Sequence, residues 1–353
     1  MSAKRKHKKK ESGIRYGIIL LVLLAVLSSA FFYVVFLRPA TSFNEDQITI
    51  LIPSKQADKS VVKEKIKSKV KKVQFTTFLA LAEWSGYWKN IKAGRYTIRK
   101  NSSIFSIFRM LNGGRQHPVS LTINKYRTKK DLIKFVSTKF EFTERELSAF
   151  ISNNDSIKQF GIRNETFMTV IIPNTYEIYW NITPKEFINR MYRESEMFWN
   201  ENRREKAKRA GLSNEEVYTL ASIIEEETND DDEKPIMASV YLNRLKKGMT
   251  LGADPTIKFA IGDFTIRRIT GSHIKSTSRS PYNTYTNKGL PPGPICTPSI
   301  TTIDAVLNHK ETAYLYFCAK EDFSGSHNFA ETAEEHIKNA RKYRRALDSL
   351  RIR

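Results

Sequence analysis

Between Arg15 and Arg38 the chain runs 22 residues without a charge, Tyr16 through Leu37, dense in Ile, Leu and Val. That length lets a helix cross a hydrocarbon core of about 30 Å. The apolar region of a cleaved signal peptide is usually only about 7–15 residues, so 16–37 reads as an uncleaved anchor. Pro39-Ala40-Thr41-Ser42 follows as a linker over 38–45. Gln47 to Ile52 then alternates like a strand. Val62, Ile66, Val70 and Val73, spaced by four, four and three, predict one apolar face of a lysine-rich helix. A second strand-like run, Gly94 to Ile98, precedes a helix over 102–111 with Ile104, Ile107, Phe108 and Leu111 inward and Gly113-Gly114 at its end. Strand, helix, strand, helix makes a small α+β unit over 46–118.

From Leu121 to about Asn200 the pattern is mixed and mainly helical, including 129–140 and 184–199, and helices dominate through Leu245. The stretch 254–317 is rich in turn residues. Within it Leu290-Pro291-Pro292-Gly293-Pro294 excludes a regular helix or a central strand and predicts a rigid loop. The expected architecture is α+β: one transmembrane helix, the small subdomain, a larger mixed α+β domain over 119–346, and a tail at 347–353.

Charge fixes how the anchor should sit. Lys4, Arg5, Lys6, Lys8, Lys9 and Lys10 precede the apolar run, and such clusters stay on the cytoplasmic side. Residues 1–15 then form a cytoplasmic basic tail. No second comparable apolar run follows, which puts everything after Arg38 outside. The net charge of +22 is concentrated at the edges: segments 1–15, 54–72 and 337–353 carry +6 each, leaving +4 for the other 302 residues. A nucleic-acid binder more often shows a basic stripe on its folded surface. Attraction to a membrane surface, or plain solvated charge, accounts for the basic segments instead. Cys296 and Cys318 are too few for a disulfide framework and read as free thiols.

The most informative stretch for chemistry is Val217 to Thr228. Val217, Leu220, Ala221, Ile224 and Thr228 share one helical face. Glu226 points away from it, and Glu225 and Glu227 flank it, so periodicity does not choose between those two. A carboxyl group beside an apolar face is partly desolvated, which raises its pKa. At an ordinary value near 4.3 only about one Glu in 500 is protonated at pH 7, so a general acid needs such a setting. The bland reading of the triplet is a solvated helix end.

The order Leu220-Ala221-Ser222-Ile223-Ile224-Glu225-Glu226-Glu227-Thr228, Val240-Tyr241-Leu242-Asn243-Arg244-Leu245, Gly248-Met249-Thr250-Leu251 and Asp254-Pro255-Thr256 resembles the endolytic murein transglycosylase, or YceG-like, family. Tyr282-Asn283-Thr284-Tyr285, Gly289 to Ile295, Tyr314 to Phe317 and His327-Asn328-Phe329 continue the resemblance in the same order. Upstream, the anchor and Lys92 to Tyr96 with the following helix are similar to the family's LysM-like subdomain. In the family the catalytic glutamate is the last acid before Thr, here Glu227. Gly252-Ala253 stands where relatives tend to have a polar pair, and Cys296 where a small residue is common; neither removes a group the chemistry needs.

The resemblance implies lytic cleavage between N-acetylmuramic acid and N-acetylglucosamine, leaving a 1,6-anhydro end. One carboxyl group suffices, because the sugar's own C6 hydroxyl replaces the second residue an ordinary glycosidase uses. Glu227 would protonate the glycosidic oxygen and then, ionised, take the C6 hydroxyl proton. The resemblance also implies peptidoglycan strands as substrate and peptidoglycan synthases as partners, beside the cytoplasmic membrane that the apolar run already implies; the absence of metal-ligand spacing predicts no cofactor. A hydrolytic muramidase and a non-catalytic wall-binding scaffold are the competing readings.

Further site candidates carry open alternatives. Arg244 lies on an inward stripe with Met237, Val240 and Tyr241, so it supports the cleft, meets a substrate carboxylate, or forms a structural ion pair. Asp254 is a second carboxylate or a helix cap before Pro255. Tyr282, Asn283 and Tyr285 either meet sugar rings or pack. His327 is a substrate contact or a satisfied structural histidine. Asp230 to Glu233 reads as the acidic first turn of the next helix rather than a metal site, and zinc-type His/Cys spacing is absent.

Overall fold

A computed structural model describes residues 2–349, with side chains from Arg15 onward. The side chains of the basic cluster Lys4 to Lys10, and residues 350–353 of the expected C-terminal tail, lie outside the described residues. The chain divides into two compact units, one running through Val119 together with Glu177–Asn181, the other comprising Ser120–Tyr176 and the chain from Ile182 onward.

The first unit begins with helix α1 (Ser2–Phe32), followed by a π-helical turn at Tyr33–Leu37. The stretch Arg15–Leu37 has mean hydropathy 2.8, and it is the one helix among the described residues long and apolar enough to cross a membrane. Its leucines and isoleucines, Ile18 to Leu24, are exposed all round, as a helix solvated by lipid must be. The far end is different: Val35 is buried, Phe36 packs on Phe105 at 4.4 Å, and Gln74 donates to the Val34 carbonyl at 3.3 Å.

The remaining elements are β1 (Gln47–Ile52), α2 (Lys59–Lys67), α3 (Lys72–Trp84), β2 (Gly94–Arg99) and α4 (Ile104–Asn112). Strands β1 and β2 pair antiparallel from Gln47↔Arg99 to Ile52↔Gly94. Their alternation sends Ile50, Ile52, Tyr96 and Ile98 into a core shared with Val62, Ile66, Phe78, Tyr87 and Leu111. Asp58 and Ser103 cap α2 and α4.

Two expectations fail here. The single helix drawn through Val62, Ile66, Val70 and Val73 is two helices, because the chain turns at Ser68–Lys69 and runs extended through Val70 and Lys71: Ser42 donates to the Lys69 carbonyl at 3.0 Å and Lys71 to the Ala40 carbonyl at 2.8 Å. Val73 is consequently exposed. The same bonds pin the stretch expected as a linker, and Ala40 and Thr41 are buried.

The second unit's elements are α5 (Lys129–Ser137), α6 (Glu144–Ser152), α7 (Asn154–Lys158), α8 (Pro184–Phe198), α9 (Glu201–Arg209), α10 (Asn214–Glu227), α11 (Lys234–Lys246), α12 (Asp254–Ile261), α13 (Gly271–Ser276), α14 (Ile300–Leu307) and α15 (Ala333–Ser349). The short strands β3 (Val119–Thr122) and β4 (Thr175–Ile178) each run across the division between the units, and an antiparallel pair of β5 (Tyr316–Ala319) with β6 (His327–Ala330) completes the strands. Helix α10 organises the unit. A Ser213/Glu216 capping box starts it, and Val217 through Ile224 are all buried, which exceeds the single apolar face read from periodicity. It is wrapped by α11, α12 and α14, and its acids lie at its two ends, Glu215 and Glu216 in the first turn and Glu225 to Glu227 in the last.

Candidate active site

The three glutamates that end α10 go three ways. Glu225 accepts from the Ser299 hydroxyl at 2.9 Å and from the Thr302 hydroxyl, at the start of α14, with Lys234 at 3.7 Å. Glu226 is gripped by Arg127 through Nε at 3.1 Å and Nη2 at 2.9 Å, with Lys125 at 3.2 Å. Neither is a solvated helix end. Both are pinned by segments remote in sequence, which fixes the end of α10 from two sides.

Among the described residues Glu227 has neither a salt bridge nor a backbone donor. Its Oε1 accepts a 2.8 Å hydrogen bond from the hydroxyl of Tyr241, a wholly buried residue of α11. Protein surrounds the carboxyl group although an edge of the residue remains accessible. This burial pushes its pKa up to about 7. The Tyr241 bond opposes the shift, the charge of Asp254 adds to it, and the cations Lys258 and Arg244 oppose it. Near neutrality such a carboxyl divides about evenly between acid and base forms.

Asp254, the first residue of α12, caps nothing: the cap position is Ala253, and no side-chain cap bond is present. Its Oδ1 instead accepts from the Tyr285 hydroxyl at 2.5 Å, and its charge reaches Glu227. Arg244 makes no ion pair among the described residues. Its guanidinium donates to the Leu315 carbonyl at 2.7 Å and to the Leu251 carbonyl, and lies 5.7 Å from the Tyr316 ring centre. It thereby ties α11 to both segments beside the site. Gly252, at φ +58°, carries the chain between Leu251 and Asp254, and a Cβ there would meet the Arg244 guanidinium and the Tyr285 ring at 3.7 Å. Thr284 holds this turn, accepting from Ala253 N–H at 3.0 Å and sharing a hydroxyl bond of 2.8 Å with Thr256.

The other sequence candidates fall elsewhere. Asn283 is fully buried, and its amide donates to the Ile274 carbonyl and the Thr277 hydroxyl while accepting from the Tyr285 and Thr286 N–H groups. It shapes the loop that presents Tyr285 and has no surface for a sugar. His327 spends its backbone N–H and its Nδ1 on Glu233, at 2.6 and 2.7 Å; the substrate-contact reading gives way to the structural one. Tyr282 packs on Phe259 at 4.7 Å and faces a different cavity. The acidic run 230–233 precedes α11 rather than forming its first turn, with Glu233 used by His327 and Asp231 by Lys234. Cys296 and Cys318 are free thiols. Among the described residues no group of three His, Cys, Asp or Glu side chains is placed to hold a metal.

Two participants escaped the sequence reading. Tyr241 stood there as one member of an apolar stripe, although a tyrosine buried beside an inward arginine needs a partner for its hydroxyl. Lys258 follows Asp254 by one helical turn on α12, and that spacing was the available signal.

A buried, protonatable glutamate at the end of a central helix, with a tyrosine on one oxygen and an arginine-tied turn beside it, sits inside residues 50–342, which match the model of the YceG-like family; the chain belongs to that family. It is 27% identical over 336 residues to the endolytic murein transglycosylase of Bacillus subtilis (strain 168), covering 90% of this chain and 91% of that protein. It is 26% identical over 298 residues to the endolytic murein transglycosylase of Streptococcus pneumoniae (strain ATCC BAA-255 / R6), spanning 53% of that longer relative. A crystal structure of a yceG-like protein from Listeria monocytogenes matches at TM-score 0.53 with 26% identity, over 84% of this chain and 99% of that one.

Proposed function

We propose that this protein is an endolytic lytic transglycosylase of peptidoglycan, cutting between N-acetylmuramic acid and N-acetylglucosamine and leaving 1,6-anhydro ends. The observation that carries the reading is the Glu227 carboxyl group, held near pKa 7 by burial, which can serve as acid and as base in one turnover. With Oε1 occupied by the Tyr241 hydroxyl, the acidic proton belongs on Oε2, the oxygen left for the glycosidic bond. Proton transfer to that bond frees the leaving sugar, and the carboxylate so formed takes the C6 hydroxyl proton as C6 oxygen closes on C1. Arg244 and Tyr285 hold the frame, and Asp254 keeps Glu227 from ionising early.

Mass spectrometry of digested glycan strands tests this. Anhydro ends from the wild type and none from Glu227→Gln are expected; reducing ends throughout would overturn lysis in favour of hydrolysis, with Asp254 as the second carboxylate. The names of the relatives and the family match support the substrate class.

The same reading puts the N-terminal basic segment in the cytoplasm and both folded units outside, where nascent strands are reached and peptidoglycan synthases are the natural partners. The first unit, with its α+β order, serves as a LysM-like glycan-holding subdomain. Alkaline phosphatase fused to the C terminus should be active if the orientation is right.

A further inference from the structure

Helix α3 presents an outward line that no described residue of the first unit covers. Val73, Thr76, Ala80 and Trp84, spaced by three, four and four, are all exposed, opposite the buried Gln74, Phe78 and Ala82. None of the four is charged. Trp84 is 88% exposed, more than any other large apolar side chain among the described residues. The Thr76 hydroxyl donates to the Lys72 carbonyl at 3.3 Å and the Thr77 hydroxyl to the Val73 carbonyl at 3.2 Å. Both donors are turned back into the helix, so neither depends on water. The charges of α3 stand at its ends: Lys72 follows the exposed Lys67 and Lys71, and Glu83 is paired with Lys59 at 3.0 Å.

The surroundings of this line point to the medium that covers it. Gln74, next to Val73, donates to the Val34 carbonyl at 3.3 Å, so α3 starts against the last turn of the apolar segment Arg15–Leu37. Tyr33 and Leu37 in that turn remain 55% and 60% exposed, and the apolar surface of one helix continues into that of the other. Residues 54–72, which lead into the line, carry +6. Tryptophan and lysine together mark a helix lying in the boundary layer of a bilayer, where the ring sits among headgroups and the amines reach lipid phosphates. A neutral glycan on the same face would leave the lysines without a partner.

We infer that the 73–84 face of α3 is a second lipid contact, lying in the headgroup layer of the membrane that α1 crosses, with Trp84 inserted and Lys67, Lys71 and Lys72 on anionic headgroups. The inference rests on the membrane-spanning reading of α1. Val73 and Trp84 are roughly 16 Å apart along the helix, so the contact fixes the first unit's tilt against the bilayer, which a single crossing helix leaves free.

Tryptophan fluorescence of the full chain in vesicles of phosphatidylcholine and phosphatidylglycerol, with and without bromine on the upper part of the acyl chains, tests it. Brominated lipid should quench the wild type, and Trp84→Phe should lose at least about half of that quenching although three tryptophans remain. Ala80→Glu charges the line at an exposed helical position without touching Trp84 and should lower the quenching at least about twofold, whereas Ala80→Leu should not lower it. Charge reversal at Lys71 and Lys72 together should lower it as well. Washing with alkaline carbonate reads the anchor separately. A chain that stays in the vesicles, with quenching that Trp84→Phe or Ala80→Glu leaves unchanged, would overturn the contact and leave the anchor standing. Release of the chain by the wash would overturn the anchor, and the inference with it. An emission shift with tetra-N-acetylchitotetraose that Trp84→Phe abolishes, without quenching by lipid, would overturn the contact by giving the face to glycan.

Discussion

Tyr87 in the first unit and Tyr241 in the second are both buried to 1% exposure or less, yet only Tyr241 has a partner for its hydroxyl. Tyr87 sits among Phe78, Trp88 and Phe108 at 5.2–6.4 Å between ring centres, and its oxygen meets no donor or acceptor among the described residues. Its ring fills a core, and the hydroxyl is a penalty of about 1–3 kcal/mol carried by the surrounding packing. Tyr241 donates to Glu227, so its hydroxyl decides where a proton sits. Burial has the same physical effect in both places: it disfavours charge and rewards a matched hydrogen bond. In the second unit that effect acts on a group able to react.

The strongest way to break this comparison is to remove the proposed acid/base group. Glu227→Gln should lower the rate of anhydro-end release at least about a thousandfold, within the range for loss of an acid/base residue, measured by mass spectrometry of released strands. Retention of a tenth of the rate would mean that another group moves the proton.

Next in size is a stability effect of opposite sign. The folded pKa of Glu227, about 7, lies above its ordinary 4.5, so the unfolded chain gains more from ionisation. Below pH 4.5 both states are protonated and nothing is lost; between 4.5 and 7 the folded state loses stability, by roughly 3 kcal/mol in all, and above 7 the loss is constant. Glu227→Gln should therefore melt higher than wild type at pH 8 and equally at pH 4, by calorimetry. A gap that persists at pH 4 would place the effect in packing.

The neighbours of Glu227 should shift its titration in contrary directions. Tyr241→Phe removes a bond to the charged form, so the alkaline limb of the rate profile should move up. Asp254→Asn removes a like charge, so that limb should move down; its amide oxygen can still accept from Tyr285. Shifts of about one pH unit are expected for each, and movement the same way in both variants would break the scheme. Smallest of all, Tyr87→Phe should leave the melting temperature unchanged or raise it, with a stability gain of about 1 kcal/mol, the low end of that penalty; a fall would reveal a bond at that oxygen.

Legibility in the sequence followed the range of the interaction. Helix α10 and the strands at 47–52 and 94–98 were readable because periodicity is a local signal. Periodicity did not separate Glu227 from Glu225, since both flank one face, and only the family resemblance singled out Glu227; the physical difference depends on Ser299 and Thr302 occupying Glu225 and Tyr241 occupying Glu227, all set by tertiary packing. Asp254 looked like a cap because Asp-Pro often is one, and only the distant Tyr285 shows otherwise. The break between α2 and α3 was hidden for the same reason: it is imposed by pairing with 40–42, thirty residues upstream.

Because the π-helical turn that follows α1 packs into the first unit, with Val35 buried and residues 40–42 bonded to 69–71, no slack tether separates the apolar rod from the rest of that unit. If the rod spans a membrane as proposed, the unit stands on a pedestal instead of swinging on a leash. Its height would then be set by where the apolar rod stops, and lengthening the rod by one turn would lift the unit by about 5 Å.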